Sequence, residues 1–130
     1  MESIPKIRHE HKEIDIELKE LEAVIEDEEI NMANLKQSFN KIHNLWNNHE
    51  EKEEKLFEYF REKGIDFPID ELLFKHRELK GHKKVVQDAI ASGSEEKIRV
   101  ALDTDGRMLI SKLRKHAQEE EELFDKLRVK

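Results

Sequence analysis

The feature that most constrains this chain is a nine-residue pattern that occurs twice. Residues 49–57 read His-Glu-Glu-Lys-Glu-Glu-Lys-Leu-Phe, and residues 116–124 read His-Ala-Gln-Glu-Glu-Glu-Glu-Leu-Phe. In a helix, residues four positions apart lie on one face, so the His of each copy and the Glu four positions later point the same way. The Leu-Phe pair continues that face, which predicts that the His and the Glu point into an apolar core.

A carboxylate in such a core needs a partner. Burying an ionised group without one costs several kcal/mol or more, so Glu53 and Glu120 are both expected to face a cation. Imidazole and carboxylate together are a ligand set for a transition metal. We therefore predict that His49, Glu53, His116 and Glu120 are metal ligands.

Apolar residues at steps of three and four predict four amphipathic helices and no strands. The first helix is expected to end near residues 27–29, the second at Gly64, the third at Ser92–Gly93, and the fourth to begin at Ser94. Asp103–Gly106 should weaken the fourth helix and kink it. Short connections favour an all-α, antiparallel up-down-up-down four-helix bundle. Residues 1–130 would form one domain, with two helical-hairpin repeats at about 3–62 and 68–128.

Two further histidines lie on predicted apolar stripes. His11 falls between Ile7 and Ile14 on the first helix, and His82 follows Leu79 on the third. The other residues expected to point inward on the third helix are Leu72, Leu73, Val85, Val86, Ala89 and Ile90. On the fourth helix, Met108 and Leu109 are expected to do so. Two hairpins of this kind would bring four histidines and two glutamates around one point.

Other polar residues near these ligands allow both a metal role and an ordinary one. Glu50 lies about 100° from His49 and could reach a metal only from the side, and Glu78 lies four residues before His82 but could equally pair with a lysine. A lone core histidine is usually satisfied by a carbonyl or a carboxylate. His9, His43 and His76 fall off the predicted stripes, and we expect them to be exposed.

Composition excludes several classes of function. The chain of 130 residues has a net charge of -7 and no cysteine, so it lacks a basic surface for nucleic acid and cannot form a thiolate metal site. No apolar run approaches the roughly 18 residues of a membrane span, and no membrane interaction is predicted. We expect a cytoplasmic monomer.

Taken in order, these motifs resemble the hemerythrin-like domains, often described as His-His-Glu cation-binding domains. The resemblance covers almost the whole chain. It depends on His11-x-x-Ile14, His49-x-x-x-Glu53-Glu54-x-Leu56-Phe57, His82-x-x-Val85 and His116-x-x-x-Glu120-Glu121-x-Leu123-Phe124.

The resemblance implies a di-iron protein. In such a protein two non-haem iron ions would be bridged by Glu53 and Glu120, with His11, His49, His82 and His116 as terminal ligands. Oxygen-carrying members have His-x-x-x-His on the third helix, where this chain has Glu78-x-x-x-His82. One imidazole is therefore missing, and Glu78 or water could take its place.

Three functions follow from these observations. The first, which we favour over an enzyme, is a di-iron protein that binds O2 or a related small ligand for sensing, delivery or scavenging. The second is a di-iron oxidase or peroxidase-like enzyme, or an iron-handling protein, because carboxylate-rich sites favour O2 activation. The third is a metal-free helical interaction domain.

Overall fold

The computed structural model describes residues 3–127, which contain helices and no strands. Residue 128, at the end of the second predicted hairpin, lies outside the described residues. The helices are α1 (Ser3–Glu26), α2 (Met32–Lys63), α3 (Ile69–Ser92), α4 (Glu95–Ala101) and α5 (Arg107–Leu127). A π-helical segment, Leu102–Gly106, joins α4 to α5. The structure thus confirms four helical rods, the fourth of which comprises α4, the π-helical segment and α5.

The helices begin and end close to the capping and turn residues that the sequence predicts. The side chain of Asn31 accepts a hydrogen bond from the backbone of Asn34 and caps α2, and Ser94 caps α4 by accepting from the backbone of Lys97. Gly64 ends α2 with a φ of 66°, in the left-handed region that glycine enters at no steric cost. The weak stretch predicted at Asp103–Gly106 becomes the π-helical segment, a local irregularity within an otherwise continuous helix.

The apolar core consists of two clusters. The smaller cluster joins Ile7 near the start of α1, Phe60 near the end of α2, Leu72 near the start of α3 and Phe124 near the end of α5. The larger cluster joins the remainder of these helices and extends from Ile14 to Leu113. The pattern residues of α2 and α5 lie where the two clusters meet. Within residues 3–127, no helix has the length and apolar character needed to cross a membrane.

Two residues predicted to point inward do not. Val85 is 43% exposed and Met108 is 47% exposed, so both predictions were wrong. Each stands beside a buried neighbour, Val86 or Leu109, and adjacent helical residues point about 100° apart. A helix against one core has one buried stripe, and the neighbour occupies it in both cases.

Candidate metal centre

Side chains from α1, α2 and α5 converge at the junction of the two apolar clusters. His11, His49, Glu53 and Glu120 each place one nitrogen or oxygen atom in a group whose members all lie within 4.8 Å of one another. His49 Nε2 is 2.5 Å from Glu53 Oε1, and His11 Nε2 is 3.2 Å from Glu120 Oε1. The i,i+4 pair predicted on α2 therefore faces the pair on α5, with His11 beside them.

A second group shares Glu53 with the first. It contains Glu53, His76 and His116, again with one atom from each within 4.8 Å. His76 Nε2 lies 3.2 Å from His116 Nε2, and His116 Nε2 lies 3.1 Å from Glu120 Oε1. Because Glu53 belongs to both groups and Glu120 contacts His11 and His116, the two carboxylates lie between the two pairs of histidines.

These polar groups are buried and incompletely satisfied. Glu53, Glu120 and His49 are 0% exposed. Both oxygens of Glu53, one oxygen of Glu120 and the Nε2 of His49 have no hydrogen-bond partner, since the short contact between His49 and Glu53 lacks hydrogen-bond geometry. Each buried unpaired polar group costs about 1–3 kcal/mol, and more when it is charged. A cation among these atoms would satisfy them together, so the donor set fits a transition metal such as iron.

Carboxylates behind two of the histidines orient the rings. The Nδ1 of His11 lies 3.0 Å from Glu121 Oε1, and the Nδ1 of His49 lies 3.0 Å from Glu10 Oε1. Both rings thereby turn Nε2 towards the inner carboxylates. A metal-binding histidine usually donates its second N–H to a carboxylate, which fixes its tautomer and makes it a stronger ligand.

The local electrostatics hold the inner groups in the protonation states that metal ligands need. Burial alone would raise the pKa of Glu53, but the imidazoles of His116 and His49 outweigh burial and lower that pKa to about 2. Burial lowers the pKa of His76 to about 4 and also lowers the pKa of His11. At neutral pH, Glu53 is thus a carboxylate and His76 and His11 are neutral imidazoles with a free lone pair.

His49 is the exception among these histidines. Burial opposes its protonation, yet the carboxylates of Glu53 and Glu10 outweigh burial and raise its pKa. In the metal-free protein, the negative charge of these carboxylates therefore favours a proton on His49.

Aromatic side chains enclose the cluster. The ring of Trp46 lies 5.3 to 5.6 Å from the rings of three histidines, and the ring of Phe57 lies 6.2 Å from that of His76. Both side chains are buried. They form an apolar wall that keeps bulk water from the polar groups.

The prediction that His82 points into this cluster was wrong. Its Nδ1 is 2.9 Å from Asp105 Oδ1, in the π-helical segment, and its Nε2 is 2.9 Å from Lys112 Nζ. Glu78 is likewise outside the cluster, with a carboxylate oxygen 3.2 Å from Lys112 Nζ. His76, which was expected to be exposed, is 2% exposed and occupies the place predicted for His82.

The buried stripe of α3 explains this exchange. It runs through Leu72, His76, Leu79, Lys83 and Val86 at steps of four and three, and His82 lies one position off it. Two polar residues on the stripe, His76 and Lys83, interrupt the apolar periodicity that would otherwise mark it. The signal that would have found His76 is its distance along the chain from the turn at Ser94, which matches that of His116 better than the distance of His82 does.

The remaining candidates have mixed outcomes. Glu50 is half-buried and belongs to a third group of donors with Glu54 and His76, within 4.8 Å of one another. His9 is exposed, as predicted, whereas His43 is half-buried and contacts Asn47.

Comparison with known families agrees with this geometry. A family model described as the hemerythrin HHE cation binding domain matches residues 2–127, which is nearly the entire chain. No curated protein and no solved structure matches the chain with significant similarity.

Proposed function

Because the chain belongs to the hemerythrin family of HHE cation-binding domains, we propose that it binds two non-haem iron ions in its core and presents them to O2 or a related small ligand. The proposed ligands are the buried histidines and glutamates of the cluster. They are His11, His49, Glu53, His76, His116 and Glu120, with Glu50 as an additional ligand from the side.

One observation carries the proposal: the convergence of unpaired buried polar atoms on one place. The two oxygens of Glu53 and one oxygen of Glu120 have no hydrogen-bond donor, although both side chains are fully buried. An ordinary helical bundle would gain stability by replacing them with apolar residues. A metal-free interaction domain gives no reason for this arrangement.

The two inner glutamates divide the site into two halves. Glu53 and Glu120 lie between His11 and His49 on one side and His76 and His116 on the other, which supports a bridging role for both carboxylates. Bound iron would supply a position at which O2 can be reduced or held. The protein holds Glu53 ionised, orients His11 and His49 through outer carboxylates, and excludes water.

An oxidase or peroxidase-like activity, or a role in iron handling, is the alternative. Oxygen-carrying hemerythrins have one more imidazole on the third helix, and here the nearest additional donors to His76 are the carboxylates of Glu50 and Glu54. Carboxylate-rich iron sites favour O2 activation. Rapid decay of an oxygen adduct with consumption of peroxide would favour this alternative over reversible binding.

The core contacts also support an antiparallel up-down-up-down arrangement of the four rods. The smaller cluster brings the start of α1 together with the end of α2, and the start of α3 together with the end of α5. Alternating rods of an antiparallel bundle place their ends in this way. We infer one domain built from two helical hairpins and acting as a monomer.

Metal analysis tests the proposal directly. Protein prepared anaerobically from iron-supplemented cells should contain about two iron ions per chain and, after exposure to air, show an oxo-bridged diferric absorption in the near ultraviolet. His49→Ala should lose the iron, whereas His9→Ala, at an exposed position on α1, should keep it. Wild-type protein that remains folded but binds no iron would refute the proposal.

A further inference from the structure

The cluster is approached from three sides, and the side chains on each side differ in charge. Beside α1, Glu121 is paired with Arg8 at 2.8 Å, and Glu10 is paired with Lys52. These carboxylates already have cations, and they hold the rings of His11 and His49 as well. The two carboxylates that reach the histidines on that side are therefore already paired.

The side between α3 and α5 carries positive charge. A cavity of about 140 Å³ reaches His116 there, and its lining includes Lys75, Lys112 and Lys115. Glu78 and Glu119 line the cavity too, but Lys112 and Lys75 already neutralise them, and Lys115 leaves the lining with a net positive charge. This side is unfavourable for the uptake of a metal ion.

The side between α2 and α3 presents carboxylates with no cation partner. Glu50 and Glu54 lie in a groove of about 790 Å³, and within residues 3–127 neither forms an ion pair with a lysine, arginine or histidine. Four basic side chains also line the groove, namely Arg77, Lys80, Lys83 and Lys84, but none of them lies within ion-pair distance of Glu50 or Glu54. The Nζ of Lys83 donates instead to Asn47 Oδ1 at 2.9 Å. Burial and the charge of Glu54 raise the pKa of Glu50, as expected for two carboxylates that face each other.

A buried nitrogen points to a ligand at the same place. His76 is 2% exposed, its Nδ1 has no hydrogen-bond partner, and one of its ring nitrogens lies within 4.8 Å of the carboxylates of Glu50 and Glu54. The three side chains also form a gradient of exposure, because Glu54 is exposed, Glu50 is half-buried and His76 is buried. His76 belongs both to this group and to the inner group with Glu53 and His116.

We propose that Glu54, Glu50 and His76 form a loading site through which a divalent transition-metal ion, such as Fe2+, passes from solvent to the core. This inference depends on the proposed function, because it requires a metal centre behind His76. In this role Glu54 would bind the hydrated cation at the surface, and Glu50 would then replace water molecules bound to the cation. His76 would bind the cation next, adjacent to the inner carboxylates. Glu54 is needed only during uptake and is not a ligand of the filled centre.

The rate of metal uptake by the full chain tests this role. Metal-free protein is mixed anaerobically with Co2+, whose absorption changes on binding, in a stopped-flow instrument, and the number of bound ions is measured at the end. We expect Glu54→Gln to slow uptake roughly tenfold at low salt, since a carboxylate charge and a metal-binding oxygen are both lost from the path, and to leave two ions bound per chain. The part of the effect that comes from charge alone should disappear in 0.5 M salt, and the part that comes from the lost oxygen should remain.

Glu51→Gln is the matched control. Glu51 lines the same groove, so its substitution removes the same charge from the same place, but its side chain is 70% exposed and it does not belong to the donor group of Glu54, Glu50 and His76. Equal rates for Glu54→Gln and Glu51→Gln would overturn the loading site, and so would a Glu54→Gln variant that loads at the wild-type rate but binds fewer ions. Failure of the wild-type protein to bind Co2+ or Fe2+ would overturn the proposed function as well.

Discussion

Replacing His76 by leucine should make the metal-free protein more stable while removing metal from it. His76 is 2% exposed, and its Nδ1 has no hydrogen-bond partner. Its Nε2 contacts His116, which retains its contact with Glu120 when His76 is replaced. Leucine is of similar size and has no polar atom to desolvate, so His76→Leu removes a cost that only a bound metal would offset.

The size of the effect depends on pH. At pH 7 the gain is about 1–3 kcal/mol, the usual cost of a buried unpaired polar group. The pKa of His76 is lowered from 6.5 to about 4 by burial, so between these values the unfolded chain binds a proton that the folded chain does not. Stability of the wild-type protein therefore falls as the pH decreases through this window, by about 2 kcal/mol from this residue between pH 7 and pH 5.

Denaturant unfolding of chelator-treated protein at pH 7, 6 and 5, followed by circular dichroism, measures the stability gain at pH 7 and its change with pH. The stability of His76→Leu should exceed that of the wild type at pH 7, and the difference should grow by about 2 kcal/mol at pH 5. The loss of the Glu53 charge does not interfere, because the pKa of Glu53 is lowered to about 2 and its contribution disappears only as the pH falls below about 4.5.

His82→Leu is the matched control for metal binding. It removes a histidine from the same helix, but from a side chain that is 17% exposed and contacts Asp105 outside the cluster. We expect His82→Leu to keep two metal ions and His76→Leu to lose at least one. The reasoning fails if His76→Leu is less stable than wild type at pH 7, or if the two stability curves run parallel between pH 7 and pH 5.

Two further predictions concern the scaffold. Gly64 has a positive φ, whereas Gly81 lies within α3 with open space where a Cβ would be. Gly64→Ala should therefore lower the free energy of unfolding by about 1 kcal/mol, and Gly81→Ala should raise it by about 0.5–1 kcal/mol; equal signs in denaturant unfolding would contradict this. Arg99 donates hydrogen bonds to the backbone oxygens of Ile25 at 2.7 Å and Asp27 at 2.8 Å, at the end of α1. Arg99→Ala should lower the free energy of unfolding, measured by denaturant unfolding, by about 2 kcal/mol. Arg107→Ala loses only a 3.8 Å ion pair with Asp103 and should lower it by less than about 0.5 kcal/mol.

Much of the fold could be predicted because its signals are local. Gly64 and Ser94 mark helix ends through their own backbone and side-chain chemistry, and the structure places the ends there. The pairs His49–Glu53 and His116–Glu120 are set by the helical repeat alone, so their shared face follows without knowledge of the tertiary structure.

The ligand from the third helix could not be chosen by apolar periodicity, because polar residues occupy part of the buried stripe. Distance from the turn would have been a better guide. In a helical hairpin, groups that lie level are at similar distances along the chain from the turn, which here lies at Ser94. His116 is further from Ser94 than either histidine of the third helix, and His76 comes closer to matching it than His82 does. At about 1.5 Å per residue, His82 falls roughly 15 Å short of His116 and His76 only about 6 Å.

The burial of Lys83 is also hard to predict from the sequence. Leu79 and Val86 place Lys83 on the buried stripe, but lysine on a helix is normally a solvent-exposed residue. Its ammonium group is accommodated because Asn47, on a different helix, accepts its hydrogen bond, and burial lowers the pKa of Lys83. Such a pairing depends on how helices pack and is not visible in a single segment.

In the π-helical segment Leu102–Gly106 the backbone hydrogen bonds span five residues instead of four, so this turn holds one residue more than a regular α-helical turn. Ile98 before the segment and Leu109 after it are both buried, so the helix faces the core on both sides of the wider turn. A single deletion there would restore a regular helix with the second copy of the pattern still facing inward. An insertion further along would rotate that copy by about 100° towards solvent.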